Sequence, residues 1–351
     1  MLEENKYKVC VTCKTYNHAN FIEETMDGFT MQQTDFPFVC VIIDDASTDG
    51  EPEVIKRYLD EHFDLENKFV TQNEETDDYI MTFSQHKTNT NCYFSVYFLK
   101  YNHYSIKKPK DEYMSEILDN VQYYALCEGD DYWIGRRKLQ EQVDYLEAND
   151  DCVLVYTDAI VVNESSVKIL SNKSRKREGN CTRFLLTEGN FIITATACYR
   201  NSASSGWIDC KNSIPLEMKM GDKPLWIYLS LKGKFHYINK EYVAYRVLKE
   251  SASHSLDINK KLAFIQNGEE LTLFFNSYFD VGVEEEVIKK DYAYTRIRAS
   301  LEYYTNDYKY ISRYYIKRYP TLLLEPKLIV LLLIRLVTRR PIHSFANYKR
   351  L

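Results

Sequence analysis

The chain has 351 residues, enough to bury a large core, and its composition of 45% hydrophobic and 27% charged residues is typical of a folded globular protein. Its net charge of -6 argues against nucleic acid as a partner, because proteins that bind nucleic acid usually carry an excess of Lys and Arg. No run of about 18 apolar residues and no signal-peptide pattern is present, so the sequence predicts neither a transmembrane helix nor secretion.

Nine cysteines are scattered along the chain. Cys10 and Cys13 form a C-x-x-C pair, but the pair lies inside a predicted strand and no second pair accompanies it. We therefore expect reduced, buried thiols rather than a metal or redox site, which favours a cytoplasmic location.

Apolar runs typical of strands alternate with amphipathic helical patterns in the first two thirds of the chain. Strands are predicted over residues 8–13, 38–43, 68–71, 123–127, 153–156 and 191–199, and helices over 21–31, 51–62, 137–149 and 224–231. This alternation predicts an α/β fold with a mainly parallel, doubly wound sheet. The segment 77–111 follows no clean period and is interpreted as an insertion. Beyond about residue 257 the alternation stops and helical patterns follow.

Acidic residues follow two of the predicted strands. Asp44 and Asp45 end one strand, and Glu128, Asp130 and Asp131 end another. Ligands of α/β sheets bind at the carboxyl ends of the strands, and clustered carboxylates repel one another unless water or a cation offsets their charge. Mg²⁺ or Mn²⁺ held by one or two of these carboxylates would leave coordination positions for phosphate oxygens. The simpler alternative is a pair of solvated turns, one of which caps a helix.

Glycine-rich phosphate-binding motifs are missing from the sequence. No G-x-G-x-x-G follows the first strand, and there is no G-x-x-x-x-G-K-[ST] and no G-x-S-x-G. A protein that holds a nucleoside diphosphate without such a loop needs another source of positive charge, and a divalent cation fits that need.

Five short motifs, taken in order, resemble the family-2 glycosyltransferases of the GT-A fold, in a form seen in bacterial polysaccharide enzymes. They are T-Y-N at 15–17, V-I-I-D-D-A-S-T-D-G at 41–50, E-G-D-D-Y-W at 128–133, K-L-Q-E-Q at 138–142, and G-D-K-P-L-W at 221–226 with Y-R at 245–246. The resemblance covers roughly residues 8–254 and rests on the order of the motifs, since each motif alone is weak.

The resemblance implies a donor site. Thr15, Tyr16, Asn17 and Asp45 would contact the base and ribose of a nucleotide sugar, and Arg246 would contact its diphosphate through a bidentate pair.

A second set of residues would hold the metal. Asp130 and Asp131 would bind Mn²⁺ or Mg²⁺ and the sugar diphosphate, with Asp131 as the more direct ligand. The family often has a histidine two residues after the Tyr-Arg pair, where this chain has Leu248. His254 lies nearby in sequence and is the candidate replacement.

The acceptor side of the site would use Asp222 as the general base and Trp133 and Trp226 as walls of the acceptor pocket. The alternative for Asp222 is a structural one, in which its carboxylate caps the helix that contains Pro224.

The expected activity is inverting transfer of a sugar, most simply from a UDP-sugar, to a hydroxyl of a glycan or lipid-linked glycan in polysaccharide biosynthesis. A catalytic domain would cover residues 1–256, with a nucleotide-sugar half over 1–135 and an acceptor half over 136–256. A helical region would cover 257–351. The alternatives are a non-catalytic binding module on the same fold and a nucleotidyltransferase.

The apolar stretch at 322–340 is too short and too interrupted to cross a bilayer. Basic residues at its end, including Arg335, Arg339 and Arg340, favour binding to an anionic membrane surface, which would place the enzyme peripherally on the inner face of the membrane. A helix packed on the protein, or one that forms a homodimer, explains the same pattern.

Overall fold

The computed structural model describes residues 6–110, 113, 115–118, 120–171, 174–248, 257–302 and 308–338. The chain divides into two compact units. The first comprises residues 1–180, 192–205 and 232–246, and the second comprises 181–191, 206–231 and 247–351. Three segments that the sequence placed in the catalytic domain, 181–191, 206–231 and 247–256, thus belong to the second unit. The proposed functional boundary near residue 257 stays a prediction.

The described part of the first unit forms one sheet of eleven strands. The strands are β1 (Val9–Thr15), β2 (Phe38–Asp44), β3 (Gln72–Glu75), β4 (Tyr79–Gln85), β5 (Cys92–Leu99), β6 (Tyr123–Leu126), β7 (Tyr132–Trp133), β8 (Cys152–Val162), β9 (Lys168–Leu170), β10 (Ala197–Arg200) and β11 (Lys234–Arg246). Their order is β3-β4-β5-β2-β1-β6-β10-β8-β11-β7, and β9 pairs with β8. The four strands β5, β2, β1 and β6 run parallel. β4 and β10 pair antiparallel to the two outer members of this group, and beyond β10 the strands β8 and β11 pair in parallel with each other.

The described residues also form twelve α-helices. They are α1 (Ile22–Thr30), α2 (Glu51–His62), α3 (Ser115–Leu118), α4 (Lys138–Ala148), α5 (Thr182–Thr187), α6 (Asn201–Ser204), α7 (Trp207–Ser213), α8 (Asp222–Ser230), α9 (Ile258–Tyr278), α10 (Glu285–Glu302), α11 (Tyr308–Arg318) and α12 (Pro326–Thr338). The predicted α/β class, with helices following in the C-terminal region, is confirmed.

The hydrophobic core of the first unit lies around its parallel strands. Every residue of β2 and of β5 is buried, as expected for central strands that are covered on both faces. Helix α1 packs Ile22, Met26 and Phe29 into this core, and α2 contributes Ile55 and Leu59.

Two predictions about the segment between α2 and β6 are wrong. The strand expected at 68–71 begins later, at Gln72. The segment 77–111 is no insertion over most of its length, because it contains β4 and β5, and β5 pairs in parallel with β2 along the whole length of β2. The strand predicted over 191–199 is also shorter than expected, since a 3₁₀ turn covers Thr194–Thr196 and only β10 follows.

The second unit is helical where it is described. Helix α12 packs Leu328 against Ala293, Ile297 and Leu301 of α10. No helix among the residues described here is long and apolar enough to cross a membrane. All nine cysteines are buried, as expected, and none of them forms a disulfide in the described part of the chain.

Candidate functional site

The carboxyl ends of three parallel strands bring the predicted donor residues to one edge of the sheet. Thr15 at the end of β1 is in register with Asp44 at the end of β2. On the other side of β1, Thr12 is in register with Leu126 of β6, just before the acidic loop 128–131. The two acidic clusters therefore lie at the same edge, as the sequence predicted.

A buried glutamate joins the first two loops at this edge. Glu51, the first residue of α2, has no exposed surface. Its carboxylate accepts hydrogen bonds from the Thr15 hydroxyl, from the backbone N–H of His18 at 2.8 Å, and from the Ser47 hydroxyl at 2.8 Å. Glu51 is not among the residues expected in the site, because its position at a helix start gives no sign in the sequence of partners in another loop.

Asn17 also connects the loop after β1 to the loop after β2 through hydrogen bonds. It adopts a left-handed conformation with φ of 58°, which asparagine tolerates better than most residues. Its backbone N–H donates to the Ser47 hydroxyl at 2.8 Å, and its side-chain oxygen accepts from the Thr48 N–H at 2.8 Å. Asn17 therefore shapes the loop, and its contact with a nucleotide stays a prediction.

Gly129 lets the acidic loop approach β1. A Cβ atom added at Gly129 would lie 2.1 Å from Oγ1 of Thr15, which is too close for any side chain. From the opposite side, the Thr25 hydroxyl of α1 lies 3.1 Å from the carbonyl oxygen of Gly129 and 2.7 Å from that of Asp131. The backbone of the loop is thus held from two sides.

Asp131 is the buried member of the acidic loop, with 3% of its surface exposed. Burial raises the pKa of its carboxyl well above the usual range, and the charges of Asp130 and Glu128 raise it further. One carboxylate oxygen accepts a hydrogen bond from the backbone N–H of Arg246 at 2.8 Å. Asp130 is partly exposed, so it is the more accessible of the two predicted metal ligands.

The Arg246 side chain is fully buried beneath this loop. Its Nε donates to the carbonyl oxygen of Asp130 at 2.8 Å, and one terminal nitrogen donates to the Ser166 hydroxyl at 3.0 Å. The other terminal nitrogen pairs with the Glu24 carboxylate, and the guanidinium lies 4.5 Å from the centre of the Phe21 ring. These contacts make Arg246 a support for the acidic loop and leave its side chain no surface for the predicted diphosphate contact.

Asp45, predicted to contact the base or ribose, is also buried, and its carboxylate is bonded by other residues of the chain. Its carboxylate accepts hydrogen bonds from the backbone N–H groups of His103 at 2.8 Å and Tyr104 at 3.1 Å, and it pairs with the Lys110 ammonium. Tyr16 keeps 44% of its surface exposed and remains open to a ligand.

Asp44 lies beside Asp45 and is 1% exposed. Burial raises the pKa of its carboxyl to about 6, and the charge of Glu51 contributes, although the Ser47 hydrogen bonds oppose the shift.

Asp222 is the first residue of α8 in the second unit. One carboxylate oxygen accepts from the Lys223 N–H at 2.7 Å and the other from the Asn190 side-chain amide at 2.6 Å. Burial raises its pKa. The helix cap position belongs to Gly221, and no side-chain cap bond is made there. The Asp222 carboxylate thus bonds one N–H of the first turn of α8, so the structural alternative stays open and its role as a base stays a prediction.

The two tryptophans assigned to the acceptor pocket are both buried. The Trp133 indole N–H donates to the carbonyl of Ala195 at 2.9 Å, and its ring packs edge-on against Phe29 at 5.0 Å. Trp226 has no exposed surface within α8. Both are packing residues in this structure, so their contact with an acceptor stays a prediction. His254 lies outside the described residues.

The acidic loop contains the residues that the sequence predicted as ligands of a cation. Three carboxylates fall within four residues, and the pKa of Asp131 is raised first by burial and then by the charges of Asp130 and Glu128. Within the described ranges, however, no group of three or more His, Cys, Asp or Glu side chains is arranged to hold a metal ion.

Part of the chain that contains predicted donor residues matches a known protein family. Residues 10–79, from β1 to the start of β4, match the model of the family described as "Glycosyl transferase family 2". This region is of the family-2 type. The resemblance predicted from the sequence is thereby confirmed for the part of the chain that carries Thr15, Tyr16, Asn17 and Asp45; the acidic loop and Asp222 lie beyond the match.

Two curated relatives cover more of the chain. Uncharacterised proteins of Mycobacterium tuberculosis and Mycobacterium bovis are each 25% identical over 267 residues, which is 76% of this chain. The matched part is 66% of each relative, so the chain spans just under two thirds of their length.

Solved glycosyltransferases show a distant likeness. TarS 1-349 from S. aureus is 15% identical with a TM-score of 0.46, covering 90% of both chains. The mannosyltransferase PcManGT from Pyrobaculum calidifontis, solved with GDP-Man and Mn²⁺, is 13% identical with a TM-score of 0.48, covering 95% of this chain and 88% of the other. At these values no residue role transfers from either structure.

Proposed function

We propose that the protein is an inverting, cation-dependent glycosyltransferase that moves a sugar from a nucleotide sugar, most simply a UDP-sugar, to a hydroxyl of a glycan or lipid-linked glycan. One observation carries the proposal: the acidic loop 128–131 lies next to the carboxyl end of β1, which belongs to the region that matches the family-2 model. There Glu51 and Gly129 hold Thr15 between the two loops, and Arg246 supports the acidic backbone from below.

Asp130 and Asp131 are the residues that would hold Mn²⁺ or Mg²⁺. A divalent cation bound by one or two carboxylates keeps coordination positions for phosphate oxygens, and it would offset the charge of the leaving diphosphate. The burial of Asp131 and its bond to the Arg246 N–H would fix its carboxylate in one orientation. Asp130, being more accessible, would make the first contact.

Asp222 is our candidate for the general base. As the acceptor oxygen bonds to the anomeric carbon, the bond from that carbon to the diphosphate oxygen breaks, and the hydroxyl proton passes to the Asp222 carboxylate. A carboxyl with a raised pKa is the better proton acceptor. The Asn190 amide would orient the carboxylate for this transfer.

The proposal is tested by a donor screen. Purified protein with Mn²⁺ is titrated with a panel of UDP- and GDP-sugars, and binding and release of nucleoside diphosphate are measured. We expect at least one donor to bind and to be turned over when an acceptor glycan is supplied. Binding without turnover for every donor and acceptor would favour the non-catalytic module, and release of pyrophosphate from a nucleoside triphosphate would favour a nucleotidyltransferase.

We also propose that α12 and the turn before it contact an anionic membrane surface. One face of α12 is packed on α10, but Leu324, Val330 and Leu333 are exposed by 77%, 46% and 56%. Arg335, expected at the rim of this surface, is buried instead, and Arg339 and Arg340 lie outside the described residues.

Sedimentation with anionic liposomes tests this contact. We expect Leu324→Asp with Leu333→Asp to abolish cosedimentation, and Ile208→Asp, at another exposed apolar position, to leave it unchanged. A double variant that sediments like the wild type would refute the membrane contact, and a concentration-dependent dimer lost in that variant would assign the surface to a homodimer.

A further inference from the structure

Residues 101–110 form a surface segment that is anchored to two carboxylates of the first unit. At one anchor, Asp45 accepts hydrogen bonds from the backbone N–H groups of His103 and Tyr104 and pairs with Lys110. At the same anchor the Asn102 side chain donates to the carbonyl oxygen of Asp45 at 3.0 Å. The backbone on both sides of residue 103 is therefore fixed to the end of β2.

The second anchor is Asp78. The Lys108 ammonium donates to its carboxylate at 2.7 Å, the Tyr113 hydroxyl donates at 3.1 Å, and the Tyr101 hydroxyl also binds it. Between the anchors, His103 is fully buried, and its ring nitrogens lie 2.8 Å from the Tyr101 carbonyl and 2.8 Å from the Tyr113 hydroxyl. The segment is held at both ends and along its inner side.

This well-held backbone presents an exposed aromatic ring. Tyr104 is 81% exposed although its own N–H is bonded to Asp45. The backbone N–H of Asp45 donates in turn to the carbonyl of Thr15 at 3.0 Å, and the next residue, Tyr16, is 44% exposed. Tyr104 itself, and Thr15 just before Tyr16, are thus hydrogen-bonded to Asp45, the residue that follows β2.

A flat ring on a fixed backbone is suited to stacking. Bases stack on aromatic side chains whatever their sequence, because each base has a π face. A ring whose backbone is already ordered loses less conformational entropy on binding than a ring on a mobile loop. The buried, fully bonded carboxylate of Asp45 is less suited to contact a ligand itself.

We propose that Tyr104 stacks on the nucleobase of the donor, and that Asp45 is a positioning residue that fixes the Tyr104 backbone instead of binding the base. The proposal rests on the proposed function, since it assumes a nucleotide ligand. It names a determinant of base affinity that lies outside the region matched by the family comparison, which ends at residue 79.

Calorimetric titration of the full chain with UDP tests the stacking role. Tyr104→Ala is expected to weaken UDP binding roughly 5- to 100-fold, the scale of one base–aromatic stack. Tyr104→Phe keeps the ring and is expected to bind UDP like the wild type. Ile106→Ala is the matched control, because Ile106 lies on the same segment and is 58% exposed. Competition by inorganic pyrophosphate, which has no base, is expected to be unchanged in Tyr104→Ala.

The positioning role of Asp45 is tested through its partner Lys110. Lys110→Met is expected to weaken UDP binding in the wild-type background, because Lys110 pairs with Asp45 and Asp45 holds the backbone of Tyr104. In the Tyr104→Ala background the same substitution is expected to have no further effect, because the ring through which it acts is gone. Wild-type UDP affinity in Tyr104→Ala, or an equal loss of pyrophosphate binding, would overturn the stacking proposal. Additive effects of the two substitutions would overturn the role of Asp45. A wild-type protein that binds no nucleotide at all would instead reject the proposed function.

Discussion

Replacing Arg246 with alanine separates its two possible roles, support of the acidic loop and contact with a diphosphate. The substitution removes a fully buried guanidinium that bonds the Asp130 carbonyl, the Ser166 hydroxyl and the Glu24 carboxylate. It leaves the backbone N–H of residue 246 in place, so the hydrogen bond to Asp131 is not removed directly.

The magnitude follows from burial. Each acceptor that loses a buried donor costs about 1–3 kcal/mol, and the substitution removes the donor to the Asp130 carbonyl and to the Ser166 hydroxyl. The lost ion pair adds at most about 1 kcal/mol, because the Glu24 side chain is 41% exposed. Because water can enter the space left by the side chain, we take about 4 kcal/mol as the expected loss. For a unit of this size, that corresponds to a fall of roughly 10 °C in melting temperature.

Urea denaturation and thermal melting of the full chain provide the assay. Arg57→Ala is the control, because Arg57 also pairs with a glutamate, Glu23, but both side chains are 56% exposed. An exposed pair is worth at most about 1 kcal/mol, so this variant is expected to melt close to the wild type. Arg246→Lys keeps the charge but cannot make the forked contacts, and an intermediate loss is expected.

The opposite pattern would refute this account of Arg246. If Arg246→Ala melts like the wild type and only weakens binding of the nucleotide diphosphate, the side chain is a substrate ligand and the contacts described here do not support the loop.

Three further predictions concern single residues. Asp222→Asn is expected to lower kcat by roughly 10²- to 10⁴-fold without lowering stability at neutral pH, because the raised pKa of Asp222 means that its ionised form does not favour the folded state; unchanged kcat would exclude it as the base. Asp44 has a pKa raised from 3.8 to about 6, so the folded state binds its proton more tightly, and stability is lost as pH rises through 6. Asp44→Asn should therefore gain up to about 3 kcal/mol relative to the wild type between pH 4 and pH 8, and urea midpoints that differ equally at both pH values would contradict this. Gly129→Ala is expected to cost about 1–3 kcal/mol in urea denaturation through its clash with Thr15, and an unchanged midpoint would show that the loop moves freely.

The sequence was informative where the signal is local. The sequence predicted β1, β2 and β6 from their apolar runs and α1, α2 and α4 from their helical periods. In each of these elements, burial determines the spacing of apolar residues within the element itself. β5 was missed because it lies in a segment rich in polar and aromatic residues, and its burial on both faces removes the alternation by which a strand is recognised.

The sequence predicted where the site residues lie in the sheet, but not which partners their side chains bond. Alignment of parallel strand ends placed Asp44 and the acidic loop together, as expected. The state of each side chain depends on partners that are distant in sequence. Arg246 bonds Glu24, 222 residues away, and Asp45 pairs with Lys110, 65 residues away. No local pattern indicates such pairs, so nothing in the sequence indicates that these two side chains bond other parts of the chain.

We propose above all that the sugar is released from its nucleoside diphosphate at the acidic loop. The most direct measurement is the rate of nucleoside diphosphate release from a bound nucleotide sugar, with acceptor present, in Mn²⁺ and in excess EDTA, for the wild type and for Asp130→Asn. We expect turnover in Mn²⁺ that disappears in EDTA and falls at least 100-fold in Asp130→Asn, on the scale of a lost catalytic group, while the variant melts like the wild type. Turnover at the same rate in EDTA, or full activity of Asp130→Asn, would contradict it.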